Sequence, residues 1–223
     1  SKLPHVSTTI FTVMSRLAAE CGAINLSQGF PDFDPPARLV DLVAAHMRDG
    51  RNQYAPMAGW PALCDAIAGK VRTLHGRAVS AADEVTVTSG GTEALFCAVQ
   101  AVVRAGDEVI LLEPAYDSYG PAVELAGGRA VRVPLRHPDF AVDWDRVGAA
   151  FSARTRLVIV NSPHNPSGAV LLQSDLDALT ELLRRSRALV LSDEVYEHML
   201  FDGRTHASML TRAELAARSF VVS

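Results

Sequence analysis

Apolar positions along the chain follow two rhythms. Residues 157–160 and 188–191 are unbroken apolar runs without alternation, the pattern of strands buried on both faces of a parallel sheet between helices. Residues 108–113 and 129–134 read as further strands, and the alternating, β-branched residues 85–89 as another. Helical spacing recurs between them. Residues 10–20 form a short helix, and residues 36–49 an amphipathic one with Leu39, Val43 and Met47 on one face. Further helices are predicted over 60–74, from the glycines at 90–91 through 105 with Leu95, Val99, Val102 and Val103 inward, within 139–150, and over 174–185. Strands and helices alternating at these lengths predict an α/β fold in three layers, a mostly parallel sheet flanked by helices with right-handed crossovers.

The polar residues that interrupt this pattern carry the chemistry. Asp193 stands at the carboxyl end of the 188–193 strand, the edge of an open α/β sheet where ligands bind. Ser192 and Asp193 are also good helix N-caps with Glu194 in a first turn, so a capping role stands beside the ligand-binding one. The 157–161 strand runs into Ser162-Pro-His-Asn165-Pro-Ser-Gly168. Its prolines stiffen the loop and hold the Asn amides, which suits a polar ligand, although the loop taken alone reads more readily as an ordinary turn. Ser89-Gly90-Gly91-Thr92-Glu93 closes a predicted strand and opens a helix. That arrangement points free backbone N–H groups and the positive end of the dipole at an anion. It is not G-x-G-x-x-G, which disfavours a dinucleotide.

Composition narrows the classes. A net charge of −4 gives no global attraction to nucleic acid or to an anionic membrane, and Arg184, Arg185 and Arg187 read as the solvated end of a helix. Cys21, Cys64 and Cys97 are odd in number and widely spaced, which indicates neither disulfides nor a metal site and fits a reducing cytoplasm. No apolar run approaches the ~20 residues of a membrane span, and the first residues lack the pattern of a signal peptide. There are 19 arginines and two lysines, Lys2 and Lys70.

Asn161-Ser-Pro-His-Asn165-Pro-Ser-Gly168 followed by Ser192-Asp193-Glu-Val-Tyr196 resembles the core of the fold-type I pyridoxal phosphate enzymes, specifically class I/II aminotransferases. Asn25-Leu-Ser-Gln-Gly-Phe-Pro-Asp-Phe33, Asn52-Gln-Tyr-Ala-Pro-Met57 and Asp193-Glu-Val-Tyr-Glu197 place the likeness nearest the kynurenine, glutamine and methionine aminotransferase group. The likeness implies pyridoxal 5'-phosphate as cofactor, amino acid and 2-oxo acid as substrates, and a homodimer with shared sites. It also implies roles for individual residues. Gly90, Gly91 and Thr92 bind the phosphate, Tyr116 stacks on the ring with Tyr119 as its nearest decoy, and Asp193 holds the ring nitrogen protonated. Asn165 and Tyr196 meet the ring's 3-oxygen, Gly29 and Phe30 lie by the substrate, and Tyr54 reaches the partner's phosphate. By the same likeness, residues 1–33 are an arm and part of a small domain, and 34–223 the N-terminal portion of the large cofactor-binding domain.

One expected part has no match. The family uses a lysine, after a strand like residues 219–223, to bind the cofactor covalently, and neither Lys2 nor Lys70 fits that order. The expectation is an N-terminal portion of an aminotransferase, inactive alone, acting in its complete form on aromatic, sulfur-containing or glutamine-like amino acids. A lysine-less binding or dimerisation module and a cysteine-conjugate β-lyase are the alternatives.

Overall fold

The computed structural model describes residues 2–4, 6–29 and 31–223. They divide into two compact units, one of Ala58–Ser223 with Ser1–Leu3 and one of Pro4–Met57. The smaller unit carries helices α1 (Ile10–Glu20) and α2 (Ala37–Arg48), neither of which buries a residue.

The larger unit is a five-stranded, wholly parallel sheet in the order β2-β1-β3-β4-β5. Its strands are β1 (Glu108–Glu113), β2 (Arg129–Pro134), β3 (Thr155–Asn161), β4 (Leu189–Asp193) and β5 (Ser219–Val222). Helices α3 (Pro61–His75), α4 (Gly91–Val102), α5 (Tyr119–Leu125), α6 (Trp144–Ala150), α7 (Gln173–Arg184) and the single turn α8 (Ala213–Ala216) complete it. Parallel strands need crossovers, and the helices between them supply these.

Alternation along the strands builds two cores. Ile110, Leu112, Val158, Val160 and Val190 face Leu176, Leu179, Leu183 and Leu215 of α7 and α8. Their neighbours Val109, Leu111, Leu157, Ile159 and Leu191 face Leu95, Val99 and Val102 of α4 and Tyr119 and Val123 of α5. Two-sided burial is why the strand sequences show no polar alternation. The same parity puts Asp193, two residues after Leu191, on the α4 and α5 side.

The strand order reverses direction between β1 and β3, and at such a switch point the loops leaving the carboxyl ends part to leave a crevice. The loops that flank it here are those bearing Tyr116 and Asn165.

Two expectations from periodicity are corrected. Residues 85–89 form no strand: Val87 donates one backbone bond, to Ala58 O at 2.9 Å, and no ladder continues it. Residues 119–125, where periodicity predicts no helix, form α5. Seven residues containing Gly120 and Pro121 are too few to display a helical period.

Candidate active site

The site is built on the carboxyl edge of the sheet. Asp193 ends β4, in register with Asn161 of β3 and Val222 of β5, and is 4% exposed. Its Oδ2 accepts the Tyr119 hydroxyl at 2.5 Å, and its Oδ1, among the described residues, only the Val195 amide at 3.4 Å. Burial pushes this carboxyl above the ordinary aspartate range, the neighbouring Glu194 adds to the rise, and the two donors oppose it. Tyr119 is itself pushed far up, first by burial and then by the Asp193 carboxylate, so it is a neutral donor. No helix begins at Asp193, which removes the capping alternative: β4 passes into a turn.

The loop after β3 is tied to the same strand end. Asn161 Nδ2 and the Ser162 amide both donate to the Asp193 carbonyl, at 2.9 and 3.1 Å, and Asn161 Oδ1 accepts the Asn165 amide at 2.7 Å. His164 is buried against Ser167 Oγ at 2.7 Å, and burial lowers its pKa, so the imidazole is neutral. Asn165 is thereby held by its backbone while its side chain makes no hydrogen bond among the described residues.

The start of α4 comes to this edge as well. Gly90 has φ +87°, a backbone that only glycine adopts without cost, and supplies no side-chain cap. Among the described residues the Gly91 and Thr92 amides find no acceptor, the condition that lets a helix N-terminus take an anion. A Cβ on Gly91 would stand 3.1 Å from Val195 Cγ1 and 3.4 Å from Val222 Cγ1, so this turn packs directly beside the end of β4. Tyr116, from the loop after β1, meets Tyr119 edge-on with ring centroids 5.8 Å apart.

Of the residues expected at the site, the fold thus gathers Gly90, Gly91, Thr92, Tyr116, Asn165, Asp193 and Tyr196 around one sheet edge. The Thr92, Tyr116 and Tyr196 hydroxyls, like the Asn165 side-chain carboxamide, have no hydrogen-bond partner among the described residues. Tyr54 and Gly29 belong to the smaller unit, where Tyr54 is 100% exposed and nothing lies within 4 Å of a Cβ placed on Gly29. Phe30 lies outside the described residues. Tyr119 is the residue that sequence reasoning missed, since its tie to Asp193 spans 74 positions and leaves no local trace. Lys70 is engaged elsewhere, donating to Glu197 and to Ser223 Oγ.

This donor set fits a planar heteroaromatic phosphate. An uncapped helix start suits the phosphate, a tyrosine face the ring, and a buried, under-satisfied carboxylate a cationic N–H. Residues 22–222 match the family described as aminotransferase class I and II. The chain belongs to that family.

Members of the family depend on pyridoxal phosphate. The chain is 52% identical to a methionine aminotransferase of Escherichia coli over 223 residues, all of this chain and 58% of the relative. It is 32% identical to human kynurenine–oxoglutarate transaminase 3, over 99% of this chain and 51% of the relative. The crystal structure of an E. coli methionine aminotransferase superposes with a TM-score of 0.96 at 52% identity, covering 99% of this chain and 58% of that one. An N-succinyldiaminopimelate aminotransferase from Mycobacterium tuberculosis gives 0.95 at 43% identity, with the same coverage. The chain therefore spans a little over half the length of these family members.

Proposed function

We propose that the full-length protein is a pyridoxal 5'-phosphate-dependent aminotransferase, moving an amino group between an amino acid and a 2-oxo acid. The observation that carries this reading is the Asp193 carboxylate, buried at the end of a central strand with one phenol as its only close donor. When bound, the cofactor supplies the electron sink that makes a substrate Cα–H bond acidic enough to break.

Each residue then has a task that its surroundings support. The Gly91 and Thr92 amides and the Thr92 hydroxyl hold the phosphate, with the glycine letting the backbone come close. Tyr116 covers the ring face, where an aromatic contact tolerates a planar partner. Asp193 holds a proton on the ring nitrogen: burial makes its lone charge costly, and an N–H cation facing it relieves that cost. Such a charge-assisted bond contributes roughly 1.5–3 kcal/mol, and ~1.4 kcal/mol is a factor of ten in rate. Tyr119 keeps the carboxylate turned toward the site, and Asn165 and Tyr196 donate to the ring's 3-oxygen.

The likeness to methionine and kynurenine aminotransferases supports sulfur-containing or aromatic donors, with glutamine-like ones alongside, and Gly29 and Phe30 beside the substrate. Tyr54 supports a homodimer in which it reaches the partner's phosphate. Free Cys21, Cys64 and Cys97 accord with a reducing cytoplasm, and no described helix is long and apolar enough to cross a membrane.

Asp193→Asn in the full-length protein tests the reading. It is expected to retain cofactor while single-turnover rates with methionine and kynurenine fall a hundredfold or more, about 2.7 kcal/mol of lost stabilisation. Rates like those of the wild type would refute the role of Asp193.

A further inference from the structure

We infer that Lys70 and Glu197 are positioning residues for Tyr196, clamping the turn that carries it to helix α3. The inference rests on the reading that Tyr196 meets the cofactor. Residues 194–197 leave β4 directly after Asp193, the Glu197 amide bonds the Glu194 carbonyl at 2.9 Å, and the Met199 amide bonds the Tyr196 carbonyl at 2.7 Å. These two bonds hold the backbone of the turn and do not by themselves fix the direction of a long side chain.

Two buried glutamates at its ends do so. Glu194 is anchored to the sheet: its amide donates to Val222 O at 2.7 Å, and its carboxylate accepts Ser192 Oγ at 2.8 Å, the Met209 amide at 3.0 Å and His206 Nε2 at 2.7 Å. Glu197 is anchored to α3: its Oε1 accepts Lys70 Nζ and Ser223 Oγ, the latter at 2.6 Å, and Lys70 also donates to Ser223 Oγ at 2.7 Å. His75 of α3 places Nε2 3.4 Å from Glu197 Oε2 and meets the His206 ring edge-on at 6.4 Å, which joins the two anchors. Tyr196 stands between them.

Stability alone is a poor account of this arrangement. Glu197 is buried and Lys70 half-exposed, so the cost of desolvating the carboxylate offsets much of the Coulombic gain, and apolar residues of similar size would hold the fold as well. They would not specify the turn. A Lys ammonium with three donors serves a carboxylate and a hydroxyl together, and Lys70 is one of only two lysines beside 19 arginines.

The test uses the full-length protein loaded with pyridoxal phosphate and reads the pH midpoint of the cofactor's visible absorbance, which a hydrogen bond to the 3-oxygen moves. Tyr196→Phe sets the size of the effect. Lys70→Met is expected to shift the midpoint in the same direction by at least half as much, and Glu197→Gln likewise. Combined with Tyr196→Phe, Lys70→Met should add nothing, because both act through one hydroxyl. The Lys70 side chain is 39% exposed, so replacing it leaves no buried void, and a circular dichroism spectrum like that of the wild type checks that the variant is folded. A Lys70→Met protein with the wild-type midpoint, or shifts that add in the double variant, would overturn the clamp while leaving Tyr196 at the site. If Tyr196→Phe itself moves nothing, both the clamp and the role of Tyr196 fall, and Asp193→Asn then tells whether the rest of the site stands.

Discussion

Two carboxylates are buried at opposite ends of the same sheet, and their surroundings differ in one respect. Glu108 opens β1 at 2% exposure, and every direction around it is filled: Arg129 Nη2 at 2.7 Å, Arg154 Nε at 2.9 Å and Ser152 Oγ at 2.7 Å. The bonds from Arg129, Ser152 and Arg154 outweigh burial and pull its pKa to about 2. Asp193 closes β4 with one phenol and one long amide contact, and burial lifts its pKa. A carboxylate that serves the fold is saturated with donors. Asp193, as little exposed but short of donors, has capacity for a further one, which accords with the proposed cofactor.

The saturated end gives the largest expected effect on folding, because one substitution removes the charge on which three donors converge. With a folded pKa of about 2 against an ordinary 4.5, Glu108 contributes stability above the unfolded pKa that is lost as pH falls through the folded one. Glu108→Gln should therefore lower the denaturation midpoint at neutral pH and flatten the stability curve between about pH 4.5 and 2. Acid unfolding monitored by circular dichroism checks this. An unchanged acid limb would show that Glu108 is not the held charge, and the contrast with Asp193 would be lost.

Half of this contrast is legible in the sequence alone, and the reason is local. Strands β1, β3 and β4 lie between two helix layers, so nearly every position is apolar and the runs stand out; an acid closing one of them is conspicuous. The glycines that open α4 are equally visible, since a turn with positive φ and a close approach each demand one. What the sequence hides are the relations between distant segments. Residues 85–89 have a strand's alternation but, among the described residues, no neighbouring strand to pair with. Tyr119 reads as a decoy because α5 is too short to announce itself, yet it is the closest donor to Asp193. Lys70 and Glu197 lie 127 positions apart, and neither has a local reason to name the other.

At the under-satisfied end, Tyr119→Phe removes the main donor and keeps the ring against Tyr116. In the cofactor-free full-length protein it should cost roughly 1.5–3 kcal/mol, the range for a hydrogen bond to a charged group. The Asp193 carboxyl should titrate at still higher pH, because the phenol is the strongest influence opposing its rise. Denaturant midpoints give the first quantity and carbon NMR of the carboxyl the second. A titration that does not move would mean that the phenol does not hold the charge.

The smallest effect has the opposite sign. Because burial raises its pKa, the ionised Asp193 side chain costs the folded cofactor-free protein stability at any pH above that value. The cost fades as pH falls through the folded pKa and is absent below the unfolded one, where both states are neutral. An amide of the same shape carries no charge and still accepts from Tyr119. Asp193→Asn should thus stabilise the cofactor-free protein at neutral pH by about 1 kcal/mol, as substitutions of functional residues do, and the gain should vanish in acid. Adding pyridoxal phosphate should reverse the order, since only the carboxylate gains a cationic partner. A variant less stable than wild type at neutral pH without cofactor would place Asp193 with Glu108, as a charge kept for the fold.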